Sequence, residues 1–409
     1  MSIGQYIIAK IYSFDWIVIT IVLLLIFIGI LAIQSATLEQ SASALQKNFQ
    51  KQIIWGALGF LIFFSMSFLS FRWLYAISYL ILLGGVFLLV LTYLPALGSG
   101  ASRRWISLGG FSFQPSEFMK VFLIVGLARL LTDNIKYLNS ARGLIPPFLV
   151  TFVISLIILR QPDLGTALVF PAILFPMLYW AGVPLFTLFI IIAPLISLLS
   201  AFNLLSFVFW IGLLLLLLWI ARKSLRFIVI MFLLNISVGL ATPIMWTNLK
   251  PYQQQRILSY VDRQLDPRGS GYQVLQSKVA IGSGGLYGKG LGDGTQTQLK
   301  FLPEQHTDFI ISLIGEELGF VGVSIILLLF MILILRIIHI ASNQINLFES
   351  FILVGTASLI IFQVFVNVGM TTGLIPVTGL PLPFISYGGS SLLSIMMLMG
   401  LVQSVSTEN

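Results

Sequence analysis

The 409-residue sequence predicts an all-α polytopic membrane protein, and three observations carry that reading. Hydrophobic residues make up 58% of the chain and charged residues 9%, whereas a soluble domain carries about 25% charged residues. The mean hydropathy is +1.03. The apolar residues come in runs of the length that crosses a bilayer as a helix, roughly 20 residues. None of these runs alternates as a membrane β-barrel strand does.

Runs lie at 15–35, 52–71, 74–94, 116–131, 144–160 and 164–181, then at 185–202, 203–221, 226–246, 308–338, 350–371 and 386–405. That predicts twelve spans in one membrane domain over 1–409, with no soluble domain and no fixed-period repeat. The first run is too long for a signal-peptide core and has no small-residue cleavage site, so it reads as a retained anchor. Pro115 and Ser116 suit the start of the fourth span. Little polar sequence separates 185–202 from 203–221. The absence of cysteine excludes disulfides, a thiol nucleophile and thiolate metal sites.

Charge sets the orientation. With a cytoplasmic N-terminus, the inner side holds Lys10, Arg72, Arg129, Lys136, Arg142, Arg222, Lys223, Arg226 and Arg336, mostly in short loops. Short loops obey the positive-inside rule. An even number of spans puts both termini in the cytoplasm. The long 247–307 segment then lies outside the membrane on the opposite face. Its seven basic residues against Asp262, Asp266, Asp293 and Glu304 give it a net charge of +3. The outer loop 95–115 adds Arg103 and Arg104. This basic face beside a bilayer suits an anionic lipid group such as a diphosphate, and no feature calls for nucleic acid. Nonspecific headgroup contact is the plainer alternative.

Four constellations bear on chemistry. Gly282, Gly284, Gly285, Gly288, Gly290, Gly292 and Gly294 invite a nucleotide reading, but a P-loop fails at Ser283 and Gly290, and the dinucleotide pattern fails at Tyr287. The glycines are expected to turn the backbone tightly at the membrane surface or to approach a substrate. Glu117 and Lys120, three apart, share one helix face, either as an internal ion pair or as the lining of a polar cavity. Asp308, Ser312 and Glu316 recur at four-residue steps after His306, so a proton relay and simple helix N-terminal electrostatics both remain open. His306 and His339 sit at opposite ends of one span, and no H-E-x-x-H occurs, so no metal site is read. Asp266, in Asp266-Pro267-Arg268-Gly269-Ser270-Gly271-Tyr272, is flanked by Arg263 and Arg268. It is either a turn residue or a general base on a hydroxyl.

The run from Asp266 to Gly319, containing IGSGGLYGKGLGDGTQTQLKFLPEQHTDFIISLIGEELG, resembles the SEDS family of shape, elongation, division and sporulation proteins. RRWISLGGFSFQPSEFMK (103–120), RQPDLGTA (160–167) and LPFISYGGSS (382–391) match the same family in the same order. RRWI, IGSGGLYGKG and GTQTQLKFLPEQHTDF are most similar to its elongation branch.

The resemblance implies a bacterial cytoplasmic-membrane peptidoglycan glycosyltransferase that polymerises lipid II on the outer face and releases undecaprenyl diphosphate. It implies a class B penicillin-binding protein as transpeptidase partner within the elongation machinery. It puts the essential loop aspartate on Asp266, the tryptophan of the first motif on Trp105, and the Glu/Lys pair on Glu117 and Lys120. Candidate substrate-binding residues are then Trp105, Arg103, Arg104, Glu117, Lys120, Lys278, Lys289, His306 and Asp308. No cofactor is required by these residues; a divalent cation (Mg or Mn) could share the leaving-group role, but no cage of carboxylates that would bind one tightly is visible. The family has ten spans, so 203–246 reads as a two-span insertion. A lipid II flippase and a noncatalytic scaffold of the cell-wall synthase are the competing functions.

Overall fold

The computed structural model describes residue 5, residues 10–36, 43–94, 98–99, 104–108, 111–138, 140–222 and 224–248, residue 254, and residues 270–298 and 304–407. Helices occupy every stretch where the sequence predicts a span. They are α1 (Trp16–Ser35), α2 (Ser43–Ser67), α3 (Phe71–Leu91), α4 (Pro115–Asp133), α5 (Ala141–Leu159) and α6 (Leu164–Trp180). Next come α7 (Leu185–Ser200), α8 (Leu204–Ile220) and α9 (Leu225–Thr247), then α10 (Ser270–Gly284) and the one-turn α11 (Thr295–Gln298). The last four are α12 (Ile310–Glu317), α13 (Gly319–Ser342), α14 (Leu347–Thr371) and α15 (Gly389–Ser406). Among the described residues, eight helices are long and apolar enough to cross a membrane. The chain is a multi-pass membrane protein.

Single polar residues punctuate the apolar runs. Asp15 accepts from the N–H groups of Ile17 and Val18 at 3.1 and 3.3 Å. Asn203 caps α8 through Leu205 and Ser206 at 2.9 and 3.2 Å, and Asn346 caps α14 through Phe348 at 3.1 Å. Each cap satisfies N–H groups that a helix start leaves open. Asn203 is therefore what separates the two spans between which the sequence shows little polarity. The predicted tenth span is two helices. Gly319, at φ +65°, breaks it, leaving the short α12 before the long α13.

The chain divides into two compact units, residues 182–266 and the remainder. In the smaller unit α7, α8 and α9 pack around Ile190, Ala193, Trp210, Ile211, Leu214 and Leu218. Its interior is tied by a polar chain. The Trp210 indole N–H donates to Ser197 Oγ at 2.8 Å, and Ser197 donates to Asn235 Oδ1 at 2.6 Å. The predicted insertion, 203–246, thus shares a core with the helix before it.

In the larger unit α14 and α15 are the central long spans, each 72% buried against 22–50% for the unit's other candidate spans. Contacts define two ends of this bundle. At one, Asp15 accepts from Arg336 Nε at 2.6 Å, Lys10 lies over the Phe68 ring, and Asp133 accepts from Tyr75, Tyr79 and Arg129 at 2.5, 2.8 and 2.8 Å. The Tyr75 ring meets Phe348 at the start of α14, 5.1 Å between centroids. Three cations that the sequence places inside, Lys10, Arg129 and Arg336, are gathered here. At the other end Ser35 donates to Glu317 Oε1 at 2.5 Å, and Gln161 Nε2 donates to Thr92 Oγ1 at 2.8 Å. A small antiparallel meander, β1 (Gly98–Ser99), β2 (Trp105–Leu108) and β3 (Phe111–Phe113), interrupts the helices between α3 and α4.

Candidate active site

The site lies at the Glu317 end and grows from helix starts. Pro115 opens α4, where its missing N–H costs nothing. The backbone N–H of Gln114 donates to Ser390 Oγ at 3.1 Å, joining the starts of α4 and α15. Gln114 Nε2 reaches Asp163 Oδ2 at 3.4 Å. Asp163 also caps α6 by accepting from the Thr166 N–H at 3.1 Å. Arg104 stands 3.9 Å from Asp163. Its guanidinium is anchored on the turn before α6, donating to the carbonyls of Gln161, at 2.9 Å, and Pro162. Trp105, beside it on β2, is 39% exposed.

The LPFISYGGSS stretch stitches the turn before α12 to this cluster. Ser386 Oγ donates to the Thr307 carbonyl at 2.6 Å, and the Tyr387 N–H donates to His306 O at 2.9 Å. Buried Asn367 on α14 donates to Asp308 O and Leu380 O at 3.0 and 2.9 Å. The Asp308 carboxylate lies over Gly379. A Cβ at that glycine would stand 3.3 Å from Oδ2, and its φ of +74° favours glycine independently. The His306 and Tyr387 rings are 5.7 Å apart. Burial pulls the His306 imidazole below its usual range, with Glu304 opposing.

Burial, then the charges of Glu304 and Asp163, pushes the Asp308 carboxyl up to about 6. The folded chain therefore holds this proton to a higher pH than the unfolded chain does. The stability that follows is present in acid and is lost as the pH rises from the ordinary carboxylate range through about 6. Asp308→Asn cannot ionise, so its melting temperature should exceed wild type at pH 7.5, by on the order of 2–3 kcal/mol in stability. The gain should shrink towards pH 4.5. A difference that does not change with pH would show that Asp308 carries no such penalty.

Other predicted residues are placed differently. Lys120 Nζ is 2.6 Å from Glu117 Oε1, and the two residues are 1% and 4% exposed. Of the two arrangements open to them, they form the internal ion pair. Lys289 is paired at 2.8 Å with Glu316, which is fully buried, so its charge is already matched. Lys278 is half-buried on α10 and makes no ion pair among the described residues. The residues of the Asp308, Ser312 and Glu316 stripe have separate surroundings. Asp308 precedes the helix, held in a turn on the Glu304 carbonyl, and Ser312 is engaged by Ser277 at 2.6 Å. The glycine-rich segment lies backbone to backbone against the α12–α13 junction. Asp266, Asp262, Arg263, Arg268 and Arg103 lie outside the described residues.

Sequence reasoning missed Gln114, Asp163, Asn367 and Ser390. Asp163 had a readable signal, an aspartate one residue before an apolar helical run. Asn367 had only the generic one that a polar residue inside a span has a partner.

Comparison with known proteins gives concordant results. The family described as cell cycle protein, FtsW/RodA/SpoVE, matches residues 15–210 and 203–409. Stage V sporulation protein E of Bacillus subtilis is 37% identical over 399 residues, covering 96% of this chain and 96% of that protein. Peptidoglycan glycosyltransferase RodA of Treponema pallidum is 32% identical, covering 97% of this chain and 98% of its own. A structure concerned with the coordination of polymerization and crosslinking by a peptidoglycan synthase complex superposes with a TM-score of 0.70 at 28% identity, over 97% of this chain and 98% of that one. The rod shape determining protein RodA of Thermus thermophilus superposes with a TM-score of 0.61 at 27% identity, over 96% of each chain.

Proposed function

This chain belongs to the FtsW/RodA/SpoVE family, the SEDS proteins, and is a peptidoglycan glycosyltransferase; from that premise we propose that it polymerises lipid II during cell elongation, with Asp266 as general base. The observation that carries the reading is the polar constellation of Arg104, Gln114, Asp163, His306, Asp308 and Ser390 at one end of an apolar bundle. A lipid substrate with a sugar diphosphate head needs that combination, an apolar path for the chain and a polar site at the membrane edge.

The reaction is a single displacement. Asp266 takes the proton from the 4-hydroxyl of the acceptor GlcNAc as its oxygen bonds to the donor MurNAc carbon. The bond from that carbon to the diphosphate breaks, and the electron pair leaves with undecaprenyl diphosphate. An α-linked donor becomes a β-glycoside, so configuration inverts. Arg104 and Lys278 are the described cations of the predicted set assigned to the leaving group. Among the described residues no three His, Asp or Glu side chains are grouped so as to hold a metal ion.

The elongation role rests on the RRWI, IGSGGLYGKG and GTQTQLKFLPEQHTDF stretches. The likeness to a peptidoglycan synthase complex supports a class B penicillin-binding protein as cross-linking partner. The decisive assay gives purified protein and that partner lipid II and scores glycan strands. Translocation of lipid II without polymer would sink the enzyme mechanism and favour a flippase.

Lys10, Arg129 and Arg336 gathered at the Asp15 end support a cytoplasmic position for that end, with the active site on the opposite, extracytoplasmic face. The chain has no native cysteine, so Lys250→Cys and Lys300→Cys give clean labels. Both should react with an impermeant maleimide on intact spheroplasts. Reaction only after permeabilisation would invert the topology.

A further inference from the structure

Glu316, the penultimate residue of α12, has no exposure to solvent, and an uncompensated carboxylate there would be strongly destabilising. Both of its oxygens are occupied. Oε1 accepts from Lys289 Nζ at 2.8 Å, the Gln296 N–H at 2.9 Å and Thr295 Oγ1 at 3.2 Å. Oε2 accepts from the Thr297 N–H at 3.1 Å. Ser283 Oγ, in the last turn of α10, also donates to Oε1 at 3.5 Å, and every other donor comes from the strap 285–298 that follows α10.

The strap is also laid along the α12–α13 junction. The N–H groups of Lys289 and Gly290 donate to the carbonyls of Glu316 and Glu317, each at 3.0 Å, and Phe320 and Val321 donate back to Gly285 and Leu286 at 2.9 and 3.1 Å. A Cβ on Gly288 would stand 2.1 Å from the Glu317 carbonyl oxygen, and one on Gly284 2.0 Å from that of Gly315. Ser277 fastens the middle of α10, lying 2.6 Å from Ser312 Oγ and donating to Thr371 O at 2.6 Å. The C-terminal half of α10 is thus fixed in depth and rotation by the strap and by Ser277. Its first residue, Ser270, is four positions after Asp266 in the sequence.

We propose that the Lys289–Glu316 pair is a positioning device for the reaction, locking the strap and through it α10, the helix that begins four residues after Asp266 in the sequence. Lys289 is then a positioning residue that acts through Glu316 and makes no contact with the leaving diphosphate. The proposal rests on Asp266 as general base. A base must sit within hydrogen-bond reach of its proton, and a displacement of about 1 Å from a remote change lowers a rate about 10²-fold.

The test is steady-state polymerisation by the full-length protein with its partner transpeptidase. Lys289→Met should lower kcat about 10–100-fold while KM for lipid II stays within about twofold. Lys289→Arg, which keeps the charge, should recover most of the rate. The neutral double variant, Lys289→Met with Glu316→Gln, separates positioning from folding, because it removes the stranded buried charge. Its melting temperature should return towards wild type while kcat stays low. A rise in KM at unchanged kcat would make Lys289 a substrate contact and overturn the proposal. So would a rate that recovers together with stability in the double variant, or a wild-type rate in folded Lys289→Met. Failure of the wild-type protein to polymerise at all would instead remove the glycosyl-transfer mechanism on which the proposal stands.

Discussion

Asp266→Asn is expected to lower lipid II polymerisation by about 10²–10⁴-fold, the range of general-base catalysis, with lipid II binding and partner association intact. Asparagine keeps the size of the side chain and much of its turn chemistry but cannot accept the proton of the acceptor hydroxyl. Arg263 and Arg268 flank the position in sequence, and cations that approach a carboxylate favour its ionised form. Asp266→Glu should retain activity only where the segment accommodates one more methylene. Asp262→Asn is the control and should be mild. Loss of turnover in Asp262→Asn with near-wild-type Asp266→Asn would move the base to the other aspartate. Normal polymerisation by both would end the carboxylate mechanism.

Much of the membrane fold was legible because the bilayer leaves few choices. A run of about 20 apolar residues has to satisfy its own backbone, and a helix does so. The break at Gly319 was hidden inside one such run, since Leu318 and Phe320 on either side are apolar. What breaks the helix there is tertiary. The Phe320 and Val321 N–H groups turn away to the strap's carbonyls. Hydropathy does not record that exchange. The site was legible by residue type and less so by role. Sequence spacing put Glu117 and Lys120 on one face, but burial decided that they face each other. Lys289 looked like a cation for a diphosphate because Glu316, 27 residues on, is brought to it only by the fold. Asp163 and Ser390, from separate motifs, meet through Gln114, a convergence no local pattern encodes.

Lys120→Ala is expected to cost about 3–5 kcal/mol of stability, the penalty for breaking a buried pair by removing one partner. Lys120 is 1% exposed and Glu117 4%. Glu117 Oε2 has no protein hydrogen-bond partner, so Lys120 is the main compensation for the carboxylate. The first turn of α4 offsets part of the stranded charge, because a helix N-terminus favours an acid, by about 0.3–1 kcal/mol. That is too little to hold the fold unaided. Lys120→Ala should therefore melt well below wild type in detergent and yield little folded protein. Combining Glu117→Gln with Lys120→Met removes both charges at nearly constant volume, and neutral replacements of buried pairs are often as stable as the pair. The double variant should recover its melting temperature and polymerise within about tenfold of wild type. Stability decides between an internal pair and a ligand site, because only the pair is mended by neutralising both partners. A double variant that is folded, binds its partner and makes no glycan would show that the Lys120 charge reaches the substrate.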